Sequence, residues 1–139
     1  MFDHYLYAQA GLLLMLATMF AQTTIAIVAH RRQSNCIPGV VADSLGHESF
    51  VFRSHRTYQN SLENVPMMAA TVLLAMFMGL DAETLAILVW IYALARLVHM
   101  ALYYAIATEK NPSPRSYFFI IGFITNLVLL VMIALHLQQ

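Results

Sequence analysis

The sequence predicts an all-α integral membrane protein: a four-helix bundle in one domain. Two observations carry that prediction. Of 139 residues, 60% are hydrophobic and only 10% charged, where a soluble domain carries roughly 25% charged residues. A soluble chain this short has too much surface for its volume to hide so much apolar area. The second observation is four long apolar stretches, each long enough to be the roughly 20-residue helix that a hydrocarbon core of about 30 Å requires. They lack the alternation of barrel strands, and helices alone satisfy their own backbone in lipid.

The first helix is expected at 5–29, which contains no formal charge. It reads as a retained span and not a cleaved signal, because no basic segment precedes it and the run is too long. The second is expected at 57–80, polar at its start and apolar after Glu63. The third, 84–107, holds a single basic charge, Arg96, near its middle, and the fourth is expected at 116–137. Between them lie a long loop from Arg31 to Arg56, a tight acidic turn at Asp81–Glu83, and a stretch from Thr108 to Arg115. That last stretch holds Asn111-Pro112-Ser113-Pro114, a stop-and-restart signal. Arg31, Arg32, Arg53, Arg56, Lys110 and Arg115 all belong to loops one and three. The positive-inside rule therefore puts those loops in the cytoplasm and both termini on the other side, in a bacterial inner membrane or one of endoplasmic-reticulum type.

Charge and cysteine content exclude whole classes of function. Seven Lys/Arg balance seven Asp/Glu, so no basic field points to nucleic acid. The single cysteine, Cys36, forms no intramolecular disulfide and no cysteine metal cluster. His47, Glu48 and His55 match no metal-ligand spacing and read as solvated loop residues, so no metal is expected. Gln22, Thr23, Thr24 and Asn126 read as hydrogen-bonding contacts between helices. The nine methionines read as adaptable packing or a greasy substrate surface.

Two polar stripes remain. Arg56, Asn60 and Glu63 sit at i, i+4 and i+7 of the second helix, on one face with Asn64 beside it. Arg96, His99 and Tyr103 sit at i, i+3 and i+7 of the third. Ionisable residues within a span face the bundle interior or a wet cavity. Glu63 lies about 9 Å inside the second helix from Thr57, and Arg96 about 16 Å inside the third from Ala107, at 1.5 Å per residue. Their side chains span the difference in depth, so a buried Glu63–Arg96 ion pair is expected. A pair serving only to bolt two helices together leaves Arg56, Asn60, His99 and Tyr103 unexplained.

The run Arg56-x3-Asn60-x2-Glu63-Asn64-x-Pro66, the run Arg96-x2-His99-x3-Tyr103, and Pro114-Arg115-Ser116 at the start of the fourth helix resemble one family. It is the membrane-associated proteins of eicosanoid and glutathione metabolism (MAPEG), on the side of the microsomal glutathione transferases and prostaglandin E synthase. The resemblance covers the chain from about Arg53 onward. It implies a homotrimer binding glutathione between subunits, as co-substrate, with a hydrophobic small molecule or lipid as second substrate. It implies glutathione-binding roles for Arg56, Asn60, Glu63, Asn64, Arg96, His99 and Tyr103, and a thiolate-stabilising, catalytic role for Arg115. The stretch between Tyr103 and Arg115 is a few residues longer than in the animal enzymes, so Lys110 is the alternative to Arg115. Asn64 stands where leukotriene-forming relatives carry tyrosine, which favours transferase or peroxidase chemistry, as in detoxification or lipid metabolism.

Elementary chemistry agrees with those roles. Glutathione's carboxylates call for arginine, supplied by Arg56 and one of Arg31 or Arg32. Its ammonium calls for a carboxylate, and Glu63 is the one carboxylate within the expected spans. Lowering a thiol pKa by two units takes about 2.7 kcal/mol, within reach of a partly desolvated cation. Two other readings stay open: a non-catalytic lipid-binding scaffold of the same family, and a small proton-coupled exporter using Glu63. Neighbouring cations that would hold the Glu63 pKa down argue against the exporter.

Overall fold

A computed structural model describes residues 3–34 and 36–138. A short 3-10 turn, Asp3–Tyr5, leads into four helices: α1 (Leu6–Arg31), α2 (Phe50–Phe77), α3 (Ala82–Ala105) and α4 (Pro114–His136). Among the described residues there is no strand beyond an isolated bridge between Ile37 and Val40. α2 and α3 form the middle of the bundle, and each packs on all three other helices. The core is Met15 of α1, Val65, Met68 and Val72 of α2, Leu85, Val89 and Tyr92 of α3, and Leu129 and Ile133 of α4. Around it, Leu13, Phe20, Leu73, Phe77, Ile124 and Val131 project outward as exposed apolar side chains. A chain apolar inside and out is one whose solvent is lipid.

α1, α3 and α4 are each long and apolar enough to cross a membrane. α2 is long enough but too polar by the same measure, against the expectation that all four runs qualify. The cause is visible in its sequence. α2 begins at Phe50 rather than at 57, so its first turns take in Arg53, His55 and Arg56 before Asn60, Glu63 and Asn64 arrive. Its apolar part is the half after Val65. The other helices begin or end one to two residues from their expected bounds.

Local signals place the helix ends. α2 closes in a Schellman motif: Gly79 N–H donates to Met76 O (3.2 Å) and Leu80 N–H to Ala75 O (3.1 Å). This requires Gly79 at φ +75°, a left-handed conformation that glycine adopts without steric cost. The Tyr5 hydroxyl then donates to Leu80 O at 2.6 Å, tying the chain's start to this turn. Asp81 caps α3 by accepting from the Thr84 N–H at 2.8 Å and the Thr84 hydroxyl at 2.7 Å. Those two bonds, the backbone one foremost, hold the Asp81 pKa below the usual carboxylate range. α4 starts with Pro114 in its first turn. Ser113 N–H donates to Ser116 Oγ at 3.2 Å and Ser116 N–H to Ser113 O at 2.8 Å. That start fixes the direction in which Arg115, one residue on, leaves the helix. Gly11 lets α1 approach α3 closely, since a Cβ there would lie 2.7 Å from Val89 Cγ1.

Candidate functional site

The α3 stripe is buried as a unit. Arg96 and His99 are each 3% exposed and Tyr103 9%. Arg96 lies nine residues before Ala105, the last of α3, hence about 14 Å along the helix axis. Its guanidinium Nη2 donates to Asn60 Oδ1 at 2.8 Å and Ser61 Oγ at 3.0 Å. These charge-assisted bonds join α2 to α3 at mid-depth. The expected Glu63–Arg96 ion pair is therefore corrected. Glu63 is exposed and points away from the α3 seam. The physical reason is rotational. Ser61 and Asn60 take the positions facing α3, and Ser54, Thr57, Ser61 and Val65 form the buried line of α2. Glu63, two residues beyond Ser61, is turned about 200° from it on a 3.6-residue helix.

The other predicted α2 residues divide accordingly. Asn60 reaches the seam. Asn64 is half-buried and donates from Nδ2 to Asn60 O at 2.7 Å. Arg56 and Glu63 are both exposed and face outward. The structure thus gathers Asn60, Arg96, His99 and Tyr103 inside the chain and leaves Arg56 and Glu63 on its outer surface.

Arg115 closes the end of the α3 stripe nearest loops one and three. Its guanidinium carbon stands 3.9 Å over the Tyr103 ring, a cation–π distance. Nη2 donates to Thr108 O at 3.0 Å. Nη1 is buried with no hydrogen-bond partner among the described residues. His99 lies on the neighbouring turn, its ring 5.6 Å from that of Tyr103, with Nδ1 likewise buried and unpartnered. Lys110 is exposed. Of the two candidates, Arg115 is the cation brought to Tyr103.

Two residues that sequence reasoning set aside or passed over belong to this arrangement. Ser61 holds Arg96, and the 54–57–61 spacing of small hydroxyl residues could have revealed it as a buried α2 stripe. His47, read as a solvated loop residue, is half-buried. Its ring lies 5.9 Å from Tyr103 and 5.0 Å from Phe52. Arg53 brings it there: Nη1 donates to His47 O at 2.7 Å and Glu48 O at 2.9 Å, while Nη2 donates to Tyr104 O at 3.3 Å. Loop one is thereby pinned across the end of α3. No periodicity in the sequence signals a contact between residues this far apart in the chain. Burial lowers the His47 pKa, and the Arg115 guanidinium adds to the effect; Glu109 partly opposes it.

A separate concavity of about 580 Å³ opens between α1, loop one and α2. Arg31, His30, His55 and Tyr58 line it, and none of Arg96, His99, Tyr103 or Arg115 does. Among the described residues no cluster of three or more His, Cys, Asp or Glu side chains could hold a metal ion.

A membrane bundle with a buried Arg-Asn-Ser seam, a His-Tyr stripe and an arginine over the tyrosine defines a class: an integral membrane protein with a cationic polar site at one end of its core. The family model described as the MAPEG family matches residues 7–135, nearly the whole chain. The chain belongs to the MAPEG family. Membership places it among the membrane-associated proteins of glutathione and eicosanoid metabolism, a family that includes glutathione transferases and peroxidases as well as non-catalytic members. No curated protein and no solved structure matches it.

Proposed function

We propose that this protein is a glutathione-dependent transferase or peroxidase acting on hydrophobic electrophiles or lipids. The observation that carries the reading is Arg115: a half-buried side chain whose guanidinium stands over Tyr103, with Nη1 buried and without a hydrogen-bond partner among the described residues. An unshared cationic N–H in a desolvated pocket lowers the pKa of a thiol placed against it. The remaining donor set fits the rest of glutathione. Arg56 and Arg31 suit the carboxylates, Glu63 the ammonium, and Asn60, Asn64, His99 and Tyr103 supply neutral hydrogen bonds. Arg96, with Nη2 committed to Asn60 and Ser61, sets the floor of the site more than it grips a ligand.

Arg56 and Glu63 point out of the single chain. That supports a homotrimer in which glutathione is held between one subunit's α2 and α3 and a neighbour's rim arginine. Exposed apolar faces on every helix support insertion in the bilayer, with loops one and three cytoplasmic where the tripeptide is dissolved. The second substrate then arrives from the lipid and meets the thiolate at the boundary where Arg115 sits.

The test is the ultraviolet absorbance of bound thiolate at neutral pH. The wild-type protein is expected to show it, and Arg115→Ala to lose most of it while binding glutathione within a few-fold. Loss of two pKa units of stabilisation cuts the thiolate fraction by up to about a hundredfold. Equal thiolate signals in both proteins would remove Arg115 from the mechanism.

A further inference from the structure

Loop one delivers a second polar group to the Tyr103 ring, and nothing in the family motif accounts for it. The geometry points to His47 as the base that takes the thiol proton in the Arg115 site; this rests on the proposed glutathione chemistry. His47 and Arg115 both lie against Tyr103, the first with ring centroids 5.9 Å apart, the second with its guanidinium carbon 3.9 Å from the ring centroid. The imidazole Nδ1 is buried and has no hydrogen-bond partner among the described residues. In the tautomer with Nδ1 bare, its lone pair has no donor bonded to it among the described residues. The ring is held in place. Arg53 of α2 clamps the His47 and Glu48 carbonyls and ties them to Tyr104 at the end of α3. Phe52 packs edge-on against the imidazole at 5.0 Å. A solvated loop histidine would need none of these restraints.

The charged groups acting on His47 are Arg115 of α4, Arg56 of α2, Glu109 of the α3–α4 loop and Glu48 beside it. Burial and the two guanidiniums keep the imidazole neutral at physiological pH, the form that accepts a proton. Arg115 alone stabilises a thiolate once formed but carries no site for the proton that leaves. With His47 present, the S–H bond breaks, its electron pair stays on sulfur, and the proton moves to the imidazole. The sulfur then bonds to the electrophilic carbon. The imidazolium returns its proton to a basic atom that received the electron pair, or, where chloride leaves as the anion, to water. Neither oxidant nor further reactant is required.

The experiment compares the pH dependence of kcat/KM for glutathione and an activated aryl chloride in wild type, His47→Gln and His47→Phe. Phenylalanine keeps an aromatic ring, slightly larger, against Tyr103 and Phe52 and removes the nitrogens, while glutamine keeps polar atoms without a comparable base. Binding of S-methylglutathione, which has no thiol proton, is measured alongside. Both variants are expected to bind S-methylglutathione like wild type. Their kcat/KM should fall roughly a hundredfold at neutral pH, the usual worth of a positioned base. The loss should shrink as hydroxide ionises the thiol at alkaline pH. A profile lowered equally at every pH, or unchanged, overturns the role of His47 and leaves the glutathione reading standing. A wild-type protein that binds neither glutathione nor its S-methyl derivative overturns both.

Discussion

Removing Ser61 tests how the deepest charge in the bundle is held. Arg96 is 3% exposed, and Nη2 has two acceptors, Asn60 Oδ1 and Ser61 Oγ. A hydrogen bond to a charged group contributes about 1.5–3 kcal/mol, so Ser61→Ala should destabilise the unliganded protein by about that amount. Asn60→Ala should cost a similar amount. The double variant strips Nη2 of both acceptors and should reach about 3–5 kcal/mol, the usual cost of leaving a buried charge unpaired. The two changes share one nitrogen, so their effects should not add. Glu63→Gln is the contrasting substitution. Its side chain is exposed, so the stability change should stay within about 0.5 kcal/mol. The assay is reversible unfolding in mixed detergent micelles at fixed pH, without glutathione. If Ser61→Ala proves neutral and Glu63→Gln costs several kcal/mol, Arg96 is held by the glutamate and not by Asn60 and Ser61.

Three further outcomes follow from local geometry. Gly79 has φ +75°, so Gly79→Ala should destabilise the α2–α3 turn by about 1–2 kcal/mol in the same assay; an unchanged midpoint would show that the turn does not need glycine there. Asp81 has a pKa depressed by its bonds to Thr84. The unfolded chain therefore takes up this proton at higher pH than the folded one, and the cap's stabilisation is present above the ordinary carboxylate range and lost as pH falls through the folded value. Asp81→Asn should lack that acid-side step, and an identical acid limb in both proteins would refute it. Cys36 is the chain's one cysteine and is exposed. A membrane-impermeant maleimide should label it from the cytoplasmic side only, and labelling from the opposite side would invert the orientation proposed from the rim arginines and lysine.

The sequence alone made the number and approximate position of the helices legible, because long uncharged runs leave few alternatives. The stripe Arg96–His99–Tyr103 was legible as a face because its 3.6-residue spacing survives folding intact. The partner of Arg96 was not. Charge pairing pointed to Glu63, whereas the rotation of α2 is set by the small residues Ser54, Thr57 and Ser61 packing inward, and a two-residue offset turns a side chain to the far face. The start of α2 lies earlier than its expected bound because Arg53, His55 and Arg56 break the apolar run that Phe50, Val51 and Phe52 begin. Their helical register appears only when Arg53 reaches back to bind the His47 and Glu48 carbonyls. His47 was illegible for the same reason: a loop residue meets α3 through tertiary contacts that no local pattern encodes.

If Arg115 creates a glutathione thiolate at the end of this bundle, the ionisation of the bound thiol depends on it. The decisive quantity is the thiol pKa of bound glutathione, obtained by titrating the thiolate absorbance in wild type and in Arg115→Ala and Lys110→Ala. The bound pKa should lie well below the free thiol's about 8.5 in wild type and in Lys110→Ala, returning toward that value in Arg115→Ala. A bound pKa that is unshifted in wild type, or restored by Lys110→Ala and not by Arg115→Ala, would contradict that role of Arg115.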